Sequence, residues 1–131
     1  MNEHLGKSYS LCSKIIIDKF FDKKQSQFVQ KYPFRLYYQV AELNSNTPFQ
    51  IVFSVPKRRI KSAPKRNKVK RRMREVIRKN KGLIEPTIQD KKIQLALFLV
   101  YNNNEIVEFK EFEHKIVVIL ERLNREIKEK L

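Results

Sequence analysis

The side chains that carry out most enzyme chemistry are few in this sequence and lie far apart. The two histidines, His4 and His114, have no cysteine or carboxylate at the spacing of a zinc site. With only two glycines, Gly6 and Gly82, the chain has no glycine-rich phosphate loop, and its possible nucleophiles have no recognisable base beside them. The acids are scattered and mostly lie toward the C-terminus, which argues against a two-metal nuclease site. We therefore expect no catalytic residue in this chain and no metal bound by it alone.

The chemistry that the sequence does concentrate is positive charge. The segment 57–81 contains 14 Lys and Arg and one acid, Glu75, whereas the other 106 residues carry 15 basic and 13 acidic side chains. Almost all of the formal net charge of +15 therefore belongs to one segment. A patch this concentrated indicates a polyanionic partner, and we interpret it as a nucleic-acid-binding surface.

Part of this basic segment has the pattern of an amphipathic helix. Its apolar residues recur with a period of 3.6 and leave the cations outside the stripe; they are Val69, Met73, Val76 and Ile77. Ser62 can cap the start, with Pro64 in the first turn, and Gly82 can end the helix. We therefore predict a helix that presents a basic face to the partner.

The cations at the start of this helix have the wrong sign for helix stability. Lys65, Arg66 and Lys68 lie at the positive end of the helix dipole, which disfavours a cation by about 0.3–1 kcal/mol. The free N–H groups of a helix N-terminus attract phosphate, so a polyanion lying over this end would explain the arrangement.

The remaining patterns predict a small sheet with helices packed against it, an α+β fold. The predicted elements are a helix over 14–22, strands over 34–40, 49–55 and 93–101, the basic helix, and a long amphipathic helix over 109–127. The short connection between the first two strands predicts an antiparallel hairpin, and the apolar run 93–101 predicts a central strand covered on both faces. Residues 25–32 and 83–91 are interpreted as a loop and a connector.

The second face of the first strand is polar but aromatic. Phe34, Leu36, Tyr38 and Val40 would face the core, whereas Arg35, Tyr37 and Gln39 would face outward. Such a strand surface can stack or hydrogen-bond single-stranded nucleotides, although an ordinary solvated face carrying one tyrosine explains it almost as well.

Length and composition favour one folded domain over residues 1–131, with residues 1–10 loose or extended over its body. One cysteine, Cys12, cannot form an internal disulfide, which predicts a reducing, cytoplasmic location. The longest apolar run, 95–101, is too short to span a bilayer, and we expect no membrane partner.

The basic helix resembles a known signature. The segment 65–75 is similar to the Arg-Asn-Arg motif of the bacterial ribonuclease P protein subunit, and the matching residues are Arg66, Asn67, Lys70, Arg71, Arg74 and Glu75, with Lys68 at the second arginine. The flanking segments 11–21, 34–38 and 53–58 resemble the family's first helix, first strand, and the strand and loop before the motif. The resemblance covers almost the whole chain in the same order.

The resemblance implies a two-layer α+β sandwich of ribosomal-protein-like fold, in the order α-β-β-(short β)-α-β-α with a left-handed βαβ crossover. It also implies a role in removing the 5′ leader of precursor tRNA, in which a ribonuclease P RNA with bound Mg²⁺ is the catalyst and the protein binds that RNA and the leader. The charge patch and the motif together predict contacts to RNA by Lys57, Arg58, Lys65, Arg66, Asn67, Lys68, Lys70, Arg71 and Arg74. The resemblance further implies a leader cleft lined by Ile17, Phe21, Arg35 and Tyr37.

Three departures from the family pattern bear on these roles. Lys68 keeps the charge of an arginine but not its two-pronged hydrogen bonding. Ile17 stands where the family commonly has phenylalanine, which weakens stacking in the cleft. The glycine that often follows the first helix is absent from residues 22–24.

Two other functions fit the residues. The same helix could clamp structured RNA in a ribosomal or ribosome-assembly protein without a processing role. A basic helix in the major groove of DNA is disfavoured, because the chain has one such helix and no heptad repeat, and we expect no DNA partner.

Overall fold

The computed structural model describes residues 6–19 and 27–131. The helices are α1 (Lys14–Lys19), α2 (Ala63–Asn80), α3 (Glu85–Asp90) and α4 (Phe109–Lys130), and the strands are β1 (Gln27–Lys31), β2 (Phe34–Val40), β3 (Phe49–Ser54) and β4 (Leu95–Tyr101). Two 3-10 turns, Lys7–Tyr9 and Lys81–Leu83, precede α1 and α3. The mixed α+β class that the sequence predicted is confirmed.

The four strands form one sheet in the order β1-β2-β4-β3. β4 pairs antiparallel with β2 and parallel with β3, so the predicted central position of the 93–101 run is confirmed. The predicted β2–β3 hairpin is wrong, because β4 lies between these two strands. An apolar strand buried on both faces is most stable inside the sheet, and the connection from β3 through α2 returns the chain there.

β1 is a strand that the sequence analysis assigned to a loop. It pairs antiparallel with β2 at the edge of the sheet, and Val29, opposite Leu36, is its one buried residue. An edge strand buries little, so one inward apolar side chain next to an exposed one, Phe28, leaves a weak pattern in the sequence. The short strand expected between β3 and the basic helix is not found in that described part of the chain, since the fourth strand, β1, precedes β2, and two helices rather than one connect β3 to β4.

Helices α2 and α4 pack on one face of the sheet and form the main core with it. The predicted stripe of α2 is confirmed: Val69, Met73, Val76 and Ile77 are all buried. The Ser62 hydroxyl caps the helix by accepting the Lys65 N–H at 3.4 Å. α2 ends at Asn80, close to the predicted end, and Gly82 lies in the 3-10 turn that follows, without the positive φ that a glycine helix stop often has.

The opposite face of the sheet carries a smaller cluster. Leu11 and Ala96 are buried there, beneath the N-terminal segment and α1. Residues 6–10 lie along the edge of β3, where Ser10 bridges to Ile51 and the Leu11 N–H donates to the Ile51 carbonyl at 3.1 Å. The connector 83–91 contains α3, and α1 is described only as far as Lys19. Within the described ranges, no helix has the length and apolarity to cross a membrane.

Candidate RNA interface

The basic side chains of α2 and of the loop before it form the first functional surface. Because Val69, Met73, Val76 and Ile77 turn inward, the remaining positions of α2 face outward. Of the nine predicted RNA contacts, seven are exposed: Lys57, Arg58, Lys65, Asn67, Lys68, Arg71 and Arg74. The other two, Arg66 and Lys70, are half-buried. The fold therefore presents the predicted set on one continuous segment.

Arg66 has a structural contact that the sequence did not reveal. Its Nη1 donates to the carbonyl oxygens of Ile60 at 2.9 Å and Lys61 at 2.8 Å. The loop is held further by Val55 and Ile60, which are buried in the main core. Arg66 thus fixes the loop that carries the exposed Lys57 and Arg58.

A second group of cations lies where α2 passes the edge of β3. The Arg74 guanidinium carbon is 5.5 Å from the centroid of the Phe53 ring. Arg74 lines a surface cavity of about 490 Å³ with Lys70 and with Lys7 from the N-terminal segment. Lys7 adds to the basic surface although it is 63 positions from Lys70 in the sequence.

Tyr9 holds the N-terminal segment in this place. Its hydroxyl donates to Glu85 Oε2 at 2.9 Å and accepts from Lys81 Nζ at 3.2 Å, while its ring lies 5.1 Å from that of Phe49. Burial raises the pKa of the Tyr9 phenol, with opposing contributions from the lysine and the glutamate. No local pattern in the sequence signals this cluster, because Phe49, Lys81 and Glu85 lie 40, 72 and 76 positions from Tyr9.

The second functional surface is an aromatic row on the face of the sheet opposite the main core. Register places Phe28 of β1, Tyr37 of β2 and Phe98 of β4 side by side. Their neighbouring ring centroids are 5.6 Å and 5.9 Å apart. Tyr37 was predicted, whereas Phe28 was assigned to a loop and Phe98 to a strand interior. The adjacent apolar pair Phe28 and Val29 was the available signal, and it does not show the alternation that marks a strand.

Arg35 closes one end of this row. Its guanidinium carbon lies 4.6 Å from the centroid of the Phe28 ring, and its nitrogens donate to Gln30 Oε1 at 2.9 and 3.2 Å and to the Tyr37 hydroxyl at 3.3 Å. These bonds hold the planar guanidinium over the ring.

α1 lies on the same face as the aromatic row. Ile17 is half-buried in the cluster that also contains Tyr37 and Phe98, and the Gln39 side-chain amide donates to the Ile16 carbonyl at 3.1 Å. The structure therefore brings Ile17, Arg35 and Tyr37 onto one face of the sheet; their contact with a leader stays a prediction. Phe21 lies outside the described residues.

These surfaces define a class of protein. In the described part of the chain, no group of three or more His, Cys, Asp or Glu residues could hold a metal ion. A basic helix and a sheet face with partly exposed aromatic rings are the features of an α+β protein that binds RNA.

Comparison with known proteins identifies the family within this class. The ribonuclease P family model matches residues 5–124. The ribonuclease P protein component of Porphyromonas gingivalis is 29% identical over 119 residues, which cover 91% of this chain and 85% of that protein. The chain belongs to the ribonuclease P protein family, and the resemblance seen in the sequence is confirmed.

Solved structures agree on the fold. The ribonuclease P protein of Staphylococcus aureus superposes with a TM-score of 0.67 at 18% identity, covering 89% of this chain and 96% of that one. The protein from Thermotoga maritima gives a TM-score of 0.63 at 21% identity, covering 86% and 96%. The predicted fold class therefore holds across distant sequences.

Proposed function

We propose that this chain binds a ribonuclease P RNA and the 5′ leader of precursor tRNA, so that the leader is removed by endonucleolytic cleavage in the cytoplasm. The observation that carries the proposal is the pairing of two distinct surfaces within a ribonuclease P family fold. The basic face of α2 suits the phosphates of a folded RNA, and the aromatic row suits the bases of a single strand. Family membership disfavours the ribosomal alternative.

The aromatic row, as the surface that binds the leader, would use stacking rather than base-specific hydrogen bonds. Phe28 is 45% exposed, and Tyr37 lies beside it, half-buried. Bases that stack on aromatic rings are accepted with little regard to sequence, because every base has a π face. Such a surface suits precursor tRNAs whose leaders differ in sequence.

In this function the RNA, and not the protein, would break the phosphodiester bond. Phosphodiester hydrolysis of this kind uses Mg²⁺, and the described side chains offer no cluster of carboxylates to hold it. The protein would contribute by neutralising phosphates near the cleavage site and by retaining the leader, which favours precursor over mature tRNA.

The test is cleavage of a precursor tRNA at Mg²⁺ concentrations of the cellular order, with this protein, the ribonuclease P RNA from the same genome, or both. Cleavage at the 5′ end of the mature tRNA by the mixture, and by neither component alone, is the expected result. Tight RNA binding without any gain in cleavage would refute the processing role and restore the ribosomal interpretation. Ribosome co-sedimentation would then separate a ribosomal protein from a general RNA clamp.

A further inference from the structure

Phe109 is an aromatic side chain on the outer flank of the basic helix. It is the first residue of α4, and 40% of its surface is exposed. With Lys68, Arg71, Arg72 and Glu75 of α2 it lines a surface cavity of about 280 Å³. The Arg72 guanidinium carbon lies 6.0 Å from the centroid of the ring, near the limit for a cation–π contact.

The charge in this cavity is positive. Glu75 is the one acid in its lining. Its carboxylate accepts from Arg78 Nη2 at 2.6 Å and lies 3.9 Å from Lys79 Nζ, so neighbouring cations offset its charge. Among the residues that line the cavity, three cations, Lys68, Arg71 and Arg72, therefore outnumber one acid. An exposed ring beside three cations is the arrangement that receives a base on the ring and its phosphates on the cations.

The position of the cavity separates it from the leader surface. Phe28, Tyr37 and Phe98 lie on the face of the sheet opposite the main core, whereas α2 and α4 form the layer that covers the core. A single strand in the aromatic row does not need to reach Phe109. The RNA that lies along α2 is the one that meets this ring.

We propose that Phe109, with Lys68, Arg71 and Arg72, is a stacking site for one unpaired nucleotide of the ribonuclease P RNA. This inference rests on the proposed function and adds a specific contact to it. The site takes a base that has left its helix, because a paired and stacked base has no free face for the ring. Through Phe109, the surface of α2 would recognise an unpaired base of the RNA in addition to its phosphate charge.

The test uses the absence of tryptophan from the chain. Phe109→Trp places a lone indole in the cavity, and stacking on a base quenches indole fluorescence. Leu131→Trp is the matched control, because Leu131 follows the other end of α4 and is 37% exposed. We expect saturating ribonuclease P RNA to quench the Phe109→Trp protein and to leave the Leu131→Trp protein unchanged.

A titration of affinity against salt completes the test. Phe109→Ala should weaken binding of the ribonuclease P RNA about tenfold, with the slope of log K against log salt unchanged, because no charge is removed. Arg71→Ala should instead reduce that slope by about one phosphate contact. Phe109 is 40% exposed, so Phe109→Ala also removes some buried surface, and the titrations are run well below its thermal midpoint.

The results distinguish this inference from the proposed function. If wild type binds the RNA and supports cleavage, while Phe109→Trp is not quenched and Phe109→Ala binds normally, the stacking site is refuted and the proposed function stands. If wild type neither binds the RNA nor supports cleavage, both are refuted.

Discussion

Arg66 combines a structural contact with a predicted contact to RNA. Its Nη1 bonds to Ile60 and Lys61 order the loop before α2, and its charge lies at the helix N-terminus where phosphate binds. The sequence analysis placed Arg66 and Arg71 together in the predicted set of RNA contacts. Their surroundings in the fold make them different.

We predict that Arg66→Ala lowers both RNA affinity and stability, whereas Arg71→Ala lowers affinity alone. Loss of the two loop bonds should cost about 1 kcal/mol, which lowers the thermal midpoint by about 3–6 °C. Arg71 is exposed, so its replacement should shift the midpoint by less than about 1 °C. Thermal melts and RNA titrations of both variants measure the difference. Equal midpoints would show that the Arg66 bonds do not stabilise the loop.

Tyr37 is predicted to act on the leader rather than on the body of tRNA. Tyr37→Ala should weaken the binding of precursor tRNA more than the binding of mature tRNA, by about fivefold or more, because the lost interaction is base stacking. Tyr37→Phe keeps the ring and should retain most of the preference. Tyr32→Ala is the control, since Tyr32 is 61% exposed and lies in the turn between β1 and β2. Equal losses for the two tRNAs would remove Tyr37 from the leader surface.

At the scale of elements, one face of α2 packs against the core and the other presents the cations. Its buried stripe holds the helix against β3 and α4, while its outer face presents the cations. Because neighbouring residues of a helix point about 100° apart, adjacent positions can belong to different tasks. Met73 is fully buried and Arg74 is exposed.

This adjacency gives a matched pair of variants. Met73→Ala should cost about 2–5 kcal/mol of unfolding free energy through the cavity it leaves, with RNA affinity of the folded protein close to wild type. Arg74→Ala should lose RNA affinity while its unfolding free energy changes by less than about 1 kcal/mol. Denaturant unfolding and RNA titration at low temperature measure both quantities. A large loss of stability in Arg74→Ala would show that its contact with Phe53 supports the fold.

At the scale of the whole molecule, the net charge of +15 controls association with RNA. The six exposed cations among the predicted contacts are Lys57, Arg58, Lys65, Lys68, Arg71 and Arg74. If each neutralises one phosphate, log K against log salt should fall with a slope of about −4 to −5, since each contact releases counterions. Equilibrium binding across a series of KCl concentrations measures the slope. A flat response would contradict the electrostatic role of the patch.

Two buried tyrosines of the core, Tyr38 and Tyr101, make the stability of the fold depend on pH. Burial raises the pKa of Tyr38 and of Tyr101 above the ordinary value of 10.0, so the fold prefers the neutral phenols. Their contribution is complete below pH 10 and is lost as the pH rises through the raised pKa values. We expect the thermal midpoint to fall above about pH 10.

Tyr38→Phe tests this assignment. The Tyr38 hydroxyl is buried and has no hydrogen-bond partner among the described residues, whereas the Tyr101 hydroxyl donates to the Glu105 carbonyl. Removing the Tyr38 hydroxyl should therefore leave stability at pH 7 unchanged or raise it by about 1 kcal/mol, and should reduce the alkaline loss. Thermal melts between pH 7 and 11 measure both effects. An alkaline loss identical to that of wild type would exclude Tyr38 as a cause.

The sequence by itself determined the basic helix and its family. The stripe of α2, its Ser62 cap and the segment 65–75 are local features, because a helix is specified by residues three and four positions apart. The apolar run of β4 is also a local feature, and a continuous apolar run indicates a central strand. These features were sufficient to predict the α+β class and the nine RNA contacts.

Only the tertiary structure decided how the surfaces are assembled. Insertion of β4 between β2 and β3 sets Tyr37 beside Phe98, and pairing with the edge strand β1 adds Phe28. Tyr9 reaches Glu85, and Phe109 reaches the flank of α2, across tens of residues. Strand pairing and side-chain packing join residues that are distant in the chain, so no period or motif in the sequence reports them.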